Sequence, residues 1–270
     1  MKGITMERIL RTYKQLKQSN ETGFIPFSVA GFPDCGRSLK VFHKLVEAGG
    51  DILEFGYPFS DPVADGPVIQ KAAAQAIRNG ITMDRALDMI GEIRAVSNIP
   101  IIFFSYFNPI HRYGRQRFVD RAKDCGIDGV LIVDLPLEEA PWLKPMTDRA
   151  GLAWIFLATP TTPQERITAM SRQGSGFLYY VSVTGVTGSR TKLPEDLTSK
   201  CSAIRDLIAL PLAVGFGVSG AEQASQLGPH VDSVVVGSAI VSRVQRGDTL
   251  DELGAWLAGI KGALRNGRTG

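Results

Sequence analysis

Cysteine and histidine are scarce in this sequence of 270 residues, which contains only three of each. The cysteines, Cys35, Cys125 and Cys201, lie far apart in the chain, and an odd number cannot all pair. Free thiols in a reducing compartment are therefore favoured over a disulfide framework. The histidines have no ligand-like spacing to one another or to a cysteine, so no metal site is predicted.

Long apolar runs and an excess of charge of one sign are also lacking. No run approaches the roughly 20 apolar residues that a membrane span needs. Residues 1–18 are charged and amphipathic, as in an additional N-terminal helix, and lack the apolar core of a signal peptide. The net charge is +3, and the basic residues are scattered. A cytoplasmic protein that binds neither membrane nor nucleic acid is expected.

Eight short apolar runs are present instead, rich in Val, Ile, Leu and Phe, and most are apolar on both alternating faces. This pattern is typical of strands that helices cover on both sides, whereas half-exposed antiparallel strands alternate between apolar and polar residues. The predicted strands are 24–30, 51–57, 99–106, 128–136, 152–158, 176–183, 210–216 and 232–238.

Segments with helical periodicity separate these strands. Thr162-Pro163-Gln164-Glu165 and Ser219-Gly220-Ala221-Glu222 have the pattern of a capping box, and Thr82 is expected to cap another helix. Eight strand–helix units in about 250 residues predict an α/β protein with one (β/α)8 barrel domain over residues 1–270 and an extra N-terminal helix. An open doubly wound sheet is the alternative, but GFPDCG after the first strand lacks the glycine fingerprint of that fold.

In such a barrel, functional residues lie where strands end and the following loops begin. Glu54 lies within an apolar strand, where an unpaired carboxylate is costly, although a buried ion pair or a solvent-facing position would also explain it. Asp65 follows in a loop rich in Pro, Asp and Gly, where it could serve only a turn before Gly66. Asp61 fits a turn better still. Two acids from one strand–loop unit suit paired acid–base chemistry.

The other side of the barrel mouth is predicted to bind phosphate. Residues 215–219 follow the seventh strand and residues 237–241 the eighth, and many barrels hold phosphate on the backbone N–H groups of these two loops. Glycines that serve only tight turns would give the same pattern. Residues 185–191 after the sixth strand are small and polar, as in a closing lid.

The motifs resemble those of one family over essentially the whole chain. LEFGYPFSDPVADGP is similar to the signature of tryptophan synthase alpha chains, and FSYFNPIHRYG, VDLPLEE, SVTGVTG, GFGVS and GSAIV resemble further segments of that family in order. One departure is Phe32 in AGFPD, where many members have Asp; it lies outside the acid pair.

This resemblance implies a (β/α)8 lyase that cleaves indole-3-glycerol phosphate to indole and glyceraldehyde 3-phosphate. It also implies a partner beta chain that carries pyridoxal phosphate, in an expected alpha2-beta2 assembly, and no cofactor in this chain. Glu54 and Asp65 would be the catalytic acids, and Thr187 would belong to the lid. The implied phosphate cradle consists of Gly188, Phe216, Gly217, Gly237 and Ser238. The implied indole pocket consists of Phe27, Ile69, Phe104, Leu131, Tyr179, Phe216 and Val235.

Two carboxyl groups suffice for this retro-aldol cleavage. Asp65 can accept a hydrogen bond from the indole N1–H while Glu54 moves a proton between the side-chain hydroxyl and C3, provided that burial raises the pKa of Glu54 and Asp65 stays ionised. The strand runs contain no lysine that could form a Schiff base. A stand-alone indole-glycerol-phosphate lyase, a catalytically silent regulatory subunit and a phosphate-binding barrel isomerase remain alternatives.

Overall fold

A computed structural model describes residues 4–181, 196–215 and 217–266 of the chain. Within these residues, parallel strands pair in sequence order and close into a barrel, with β8 pairing back onto β1. The strands are β1 (Gly23–Val29), β2 (Leu53–Gly56), β3 (Ile101–Ser105), β4 (Gly129–Ile132), β5 (Ala153–Ala158), β6 (Leu178–Val181), β7 (Leu212–Gly215) and β8 (Ser233–Val236).

Helices lie between the strands, as in a (β/α)8 barrel. They are α1 (Ile4–Ser19), α2 (Cys35–Glu47), α3 (Pro67–Arg78), α4 (Met83–Val96), α5 (Phe107–Tyr113), α6 (Arg115–Cys125), α7 (Lys144–Ala150), α8 (Gln164–Gln173), α9 (Leu197–Leu207), α10 (Ala221–Leu227), α11 (Ser238–Gln245) and α12 (Leu250–Asn266). Two short 3-10 helices span Ala140–Trp142 and Gly228–His230. The predicted fold class is confirmed, including the extra N-terminal helix. No helix in the described ranges is long and apolar enough to span a membrane.

The strands are buried on both faces, which explains their continuous apolar character. Their outward side chains pack against the helices; for example, the rings of Phe42 on α2 and Phe55 on β2 stack with centroids 4.4 Å apart. Inward side chains such as Ile102, Leu131 and Ile155 form a second cluster in the barrel interior. The strands are thereby fixed from both sides.

Helix α1 closes the barrel at the amino ends of the strands. Ile9 and Tyr13 are buried against the inner cluster, and the Tyr13 hydroxyl hydrogen-bonds with Ser233 Oγ at 2.8 Å. Asp128, which precedes β4, is fully buried and forms ion pairs with Arg8 of α1 at 2.6 Å and with Arg94 of α4 at 2.8 Å. These contacts seal the end of the barrel opposite the predicted site.

Of the three helix caps predicted from the sequence, one is confirmed by the structure. Thr82 caps α4, because its Oγ1 accepts a hydrogen bond from Arg85 N. The prediction for Thr162 is wrong, since α8 begins with Pro163 as N-cap and no side-chain cap. Thr162 Oγ1 instead accepts from Thr159 N at 2.9 Å, within a turn.

The prediction for Ser219 is also wrong in detail. Helix α10 begins after Gly220, which cannot supply a side-chain cap. The backbone N–H and the hydroxyl of Ser219 both donate to Gln223 Oε1, so the reciprocal partner lies one residue beyond the predicted Glu222. This interaction ties Ser219 to the first turn of α10.

Candidate active site

A cavity of about 290 Å³ opens at the carboxyl ends of the strands. Strands, loops and the three helices α3, α11 and α12 line it together, and this is the end of the barrel at which function was predicted. Its lining residues are Phe27, Glu54, Asp65, Val68, Ile69, Phe104, Tyr179, Gly217, Val218, Ser219, Val235, Gly237, Ser238, Ala239, Ser242, Arg243, Arg246 and Trp256.

Glu54 projects from β2 into this cavity. It is 1% exposed, and its Oε1 has no hydrogen-bond partner among the residues that the structure describes. Its strand neighbours Leu53 and Phe55 point to the outer core, as the alternation of a strand requires. Because the carboxylate form loses its hydration there, burial raises the pKa of Glu54 from 4.5 to about 8.

Asp65 enters the same cavity from the loop between β2 and α3. Its Oδ2 accepts a hydrogen bond from the Tyr106 hydroxyl at 3.2 Å. Burial raises the pKa of Asp65 from 3.8 to about 6, and the hydrogen bond from Tyr106 limits the rise because it stabilises the carboxylate. At pH 7, Glu54 is therefore mainly protonated and Asp65 mainly ionised, so one cavity holds an acid and a base.

Hydrogen bonds hold the Asp65 loop in place. The Tyr106 hydroxyl accepts from Ala64 N at 3.0 Å while it donates to Asp65. Gln70 Nε2 on α3 donates to the carbonyl oxygen of Asp65 at 2.8 Å. The outer part of the loop is exposed, with Val63 86% exposed. Tyr106 thus acts on both the backbone and the carboxylate of this segment.

Five of the seven residues predicted for the indole pocket line the same cavity as Glu54. The ring of Phe27 meets that of Phe104 edge-on, with centroids 5.3 Å apart, and Phe27 is paired in register with Glu54. Tyr179 lies close to Gly215, where an added Cβ would fall 2.2 Å from the Tyr179 hydroxyl. Glycine at 215 therefore permits the position of this ring. Ile69 and Val235 complete the apolar wall.

Three residues of the predicted phosphate cradle, Gly217, Gly237 and Ser238, also line the cavity. Gly217 has a φ of +91°, a conformation that favours glycine. Ser238 begins α11, with Gly237 as the N-cap, so the N-terminus of this helix faces the cavity. Unpaired backbone N–H groups and the helix dipole at such a terminus bind anions.

The remaining predicted site residues are placed as follows. Leu131 is buried in the inner cluster with Ile155, and the described cavity lining does not include it. Asp61 is exposed and its Oδ2 accepts from Ser60 Oγ at 2.6 Å, as expected for a turn. Phe216, Thr187 and Gly188 lie outside the described residues, as does the predicted lid of residues 185–191.

We also examined the described ranges for side chains that could bind a metal ion. No group of three or more His, Cys, Asp or Glu side chains that could hold a metal ion is found among the described residues. Cys35, Cys125 and Cys201 are free, and burial raises the pKa of Cys125 to about 11 and of Cys201 to about 12.

Sequence reasoning missed several residues of the site. Tyr106 directly follows β3, and its position at the end of a strand is a signal that could have identified it. Arg243 and Trp256 line the cavity from α11 and α12, and their proximity depends on helix packing that periodicity does not reveal.

Comparison with known proteins gives a consistent result. The family model described as tryptophan synthase alpha chain matches residues 13–257. The tryptophan synthase alpha chain of Citrifermentans bemidjiense is 44% identical over 267 residues, which is 97% of this chain and 100% of that protein.

Solved structures that are similar to this chain belong to the same family. Tryptophan synthase subunit alpha from Legionella pneumophila superposes with a TM-score of 0.89 at 37% identity, over 96% of this chain and 98% of that one. A tryptophan synthase structure from Mycobacterium tuberculosis gives a TM-score of 0.88 at 31% identity, over 96% and 98% of the two chains.

Proposed function

Since the chain belongs to the tryptophan synthase alpha chain family and is a lyase that cleaves indole-3-glycerol phosphate in tryptophan biosynthesis, we propose that Glu54 and Asp65 perform this cleavage. The observation that carries the proposal is the contrast between the two acids in one cavity. Burial favours the protonated form of Glu54, with a pKa of about 8, whereas Asp65, with a pKa of about 6, is mainly ionised at pH 7.

The steps follow from these protonation states. Protonated Glu54 donates its proton to C3 of the indole ring, while the Asp65 carboxylate accepts a hydrogen bond from N1–H and stabilises the cationic ring. Glu54, now ionised, takes the proton of the side-chain hydroxyl. The carbonyl forms, the carbon–carbon bond breaks, and its electron pair restores the aromatic indole. Glu54 ends the cycle protonated.

The substrate is oriented by the two ends of the cavity. The apolar wall of Phe27, Ile69, Phe104, Tyr179 and Val235 takes the indole ring, and the N-terminus of α11 takes the phosphate. Leu131 supports this wall from the barrel interior. This arrangement places the indole ring beside Glu54.

Turnover of indole-3-glycerol phosphate by the purified chain tests these roles. Glu54→Gln and Asp65→Asn should each lower kcat by at least about 100-fold, the low end for a general acid–base residue. Asp61→Asn is the matched control and should remain active, because Asp61 is exposed in a turn. Near wild-type turnover in either cavity variant would contradict the assignment.

We also propose that the chain is one catalytic domain over residues 1–270, works in the cytoplasm, and needs no cofactor of its own, because two carboxyl groups suffice for the proton transfers. Its partner would be a beta chain that carries pyridoxal phosphate, in an alpha2-beta2 assembly. Solved structures of similar proteins include tryptophan synthase itself, which supports the partnership.

The partner would act on the loop that holds Asp65. A partner that binds the competent loop arrangement better raises turnover by shifting the population, without adding a catalytic group. Addition of a beta chain should raise turnover by at least about tenfold, and the mass of the mixture should correspond to two chains of each kind. Full activity alone, unchanged by excess beta chain, would favour the stand-alone lyase.

A further inference from the structure

The cavity extends beyond the predicted phosphate cradle. Past Gly237 and Ser238 it is also lined by Ser242, Arg243 and Trp256. A phosphate monoester carries a charge of about −1.5 to −2 at pH 7. The predicted cradle residues supply backbone N–H groups and a hydroxyl but no cationic side chain, so a cation at this end of the cavity would strengthen the binding of the charged phosphate group.

Arg243 is held in a defined orientation at this end of the cavity. Its guanidinium lies over the ring of Trp256, 4.9 Å from the centroid, and its Nη2 donates to Asp248 Oδ2 at 2.7 Å. Its Nε is buried and has no acceptor among the described residues. The side chain is 24% exposed, so it is largely shielded from water and its charge is less screened than that of a fully exposed arginine.

Arg243 lies on α11, the helix whose N-terminus carries the cradle residues, and it lines the same cavity as Gly237 and Ser238. It follows Ser238 by five residues, a distance of about 7.5 Å along the helix axis. Side chains of a helix lean toward its N-terminus, which here is the end that carries Gly237 and Ser238. Asp248 occupies one of the five guanidinium N–H donors, which leaves others for a ligand.

We propose that Arg243 is the cationic partner of the substrate's phosphate group and determines the preference for a phosphorylated substrate. This inference rests on the proposed function. Asp248 and Trp256 are positioning residues that hold the guanidinium in place. Arg246 also lines the cavity, but it is exposed and therefore more strongly screened.

Binding of sn-glycerol 3-phosphate, measured by isothermal titration calorimetry, tests the proposal. Arg243→Gln should raise the Kd by at least about tenfold, as for the loss of a charge-assisted hydrogen bond. Arg243→Lys should retain most of the affinity because it keeps the charge. Arg149→Gln, which removes an exposed arginine on α7, is the matched control and should leave the Kd unchanged.

Two further measurements separate a phosphate contact from a general structural role. The Kd for indole should be the same in all four proteins, and Arg243→Gln should have a shallower dependence of log Kd for glycerol 3-phosphate on log salt concentration. With indole-3-glycerol phosphate, Arg243→Gln should raise KM far more than it lowers kcat.

An unchanged Kd for glycerol 3-phosphate in Arg243→Gln would overturn the proposal, as would equal losses in the Gln and Lys variants or a parallel loss of indole binding. Failure of the proposed function gives a different result. The wild-type chain would then release no indole from indole-3-glycerol phosphate, whereas the binding comparison would still decide the role of Arg243.

Discussion

Replacement of Glu54 by Gln should make the stability of the protein less dependent on pH. The pKa of Glu54 is raised from 4.5 to about 8 by burial, so the folded state binds this proton more tightly than the unfolded state. Stability from this group is present in full below about pH 4.5 and is lost as the pH rises toward 8. Gln has nearly the same shape but does not titrate.

The size of the effect follows from the shift. One pKa unit corresponds to about 1.4 kcal/mol, so between pH 5 and pH 8 the wild type should lose about 4 kcal/mol of stability relative to Glu54→Gln. Reversible urea unfolding of both proteins at several pH values measures this difference. The change with pH is the diagnostic quantity, because the buried amide adds an offset that is independent of pH.

Glu139→Gln provides the control, since Glu139 is exposed beside the 3-10 helix at Ala140–Trp142. Its stability should follow that of the wild type at every pH. Parallel curves for the wild type and Glu54→Gln would refute the reasoning, because they would mean that Glu54 is ionised in the folded protein at neutral pH.

Three further variants test other parts of the structure. Tyr106→Phe removes the hydrogen bond that stabilises the Asp65 carboxylate. As a result, kcat should fall about tenfold and the acid limb of the pH–rate profile should move to higher pH. Tyr113→Phe is the control and should change neither quantity, because the Tyr113 hydroxyl bonds Asp84 outside the cavity. Gly237→Val should weaken glycerol 3-phosphate binding at least about tenfold in calorimetry, because a Cβ at position 237 lies 3.1 Å from the Phe27 ring. Gly220→Ala is the control: a Cβ at position 220 points into open space, so this variant should bind normally. Asp128→Asn leaves Arg8 and Arg94 without their buried partner and should lower the free energy of unfolding by about 3–5 kcal/mol in urea; a loss below about 1 kcal/mol would contradict this.

The strands could be predicted because their burial on both faces gives each one a continuous run of apolar residues in the sequence. Every residue of β1 is buried, and a strand covered on both faces reads as a continuous apolar run. Strand ends were less predictable: β4 spans only Gly129–Ile132 of the predicted 128–136. The polar and proline residues that follow it belong to the loop.

Interactions that depend on competing partners could not be predicted. Thr162 fits the pattern of a helix cap, but its Oγ1 accepts a hydrogen bond from Thr159 in a turn. Ser219 bonds Gln223 rather than Glu222 because α10 starts after Gly220. Local sequence shows which hydrogen bonds are available, and tertiary geometry selects among them.

In the candidate site, too, some residues could be identified from the local sequence and others only from the tertiary structure. Glu54 and Asp65 are marked by their residue types within one strand–loop unit, and both line the cavity. Tyr106 lies 41 residues from Asp65, and no local pattern relates the two. Leu131 points inward like Phe104, its register partner on β3, but periodicity gives only the direction of a side chain and not its level along the barrel axis.

The pH dependence of kcat/KM for indole-3-glycerol phosphate tests the acid–base pair most directly. We predict a bell-shaped profile in which activity falls below about pH 6 as Asp65 is protonated and above about pH 8 as Glu54 ionises. The alkaline limb is the diagnostic one, because the phosphate of the substrate also titrates near pH 6. A rate that falls tenfold per pH unit above about pH 8 would agree with a protonated Glu54 as the proton donor. A rate that stays constant to pH 9 or beyond would contradict it.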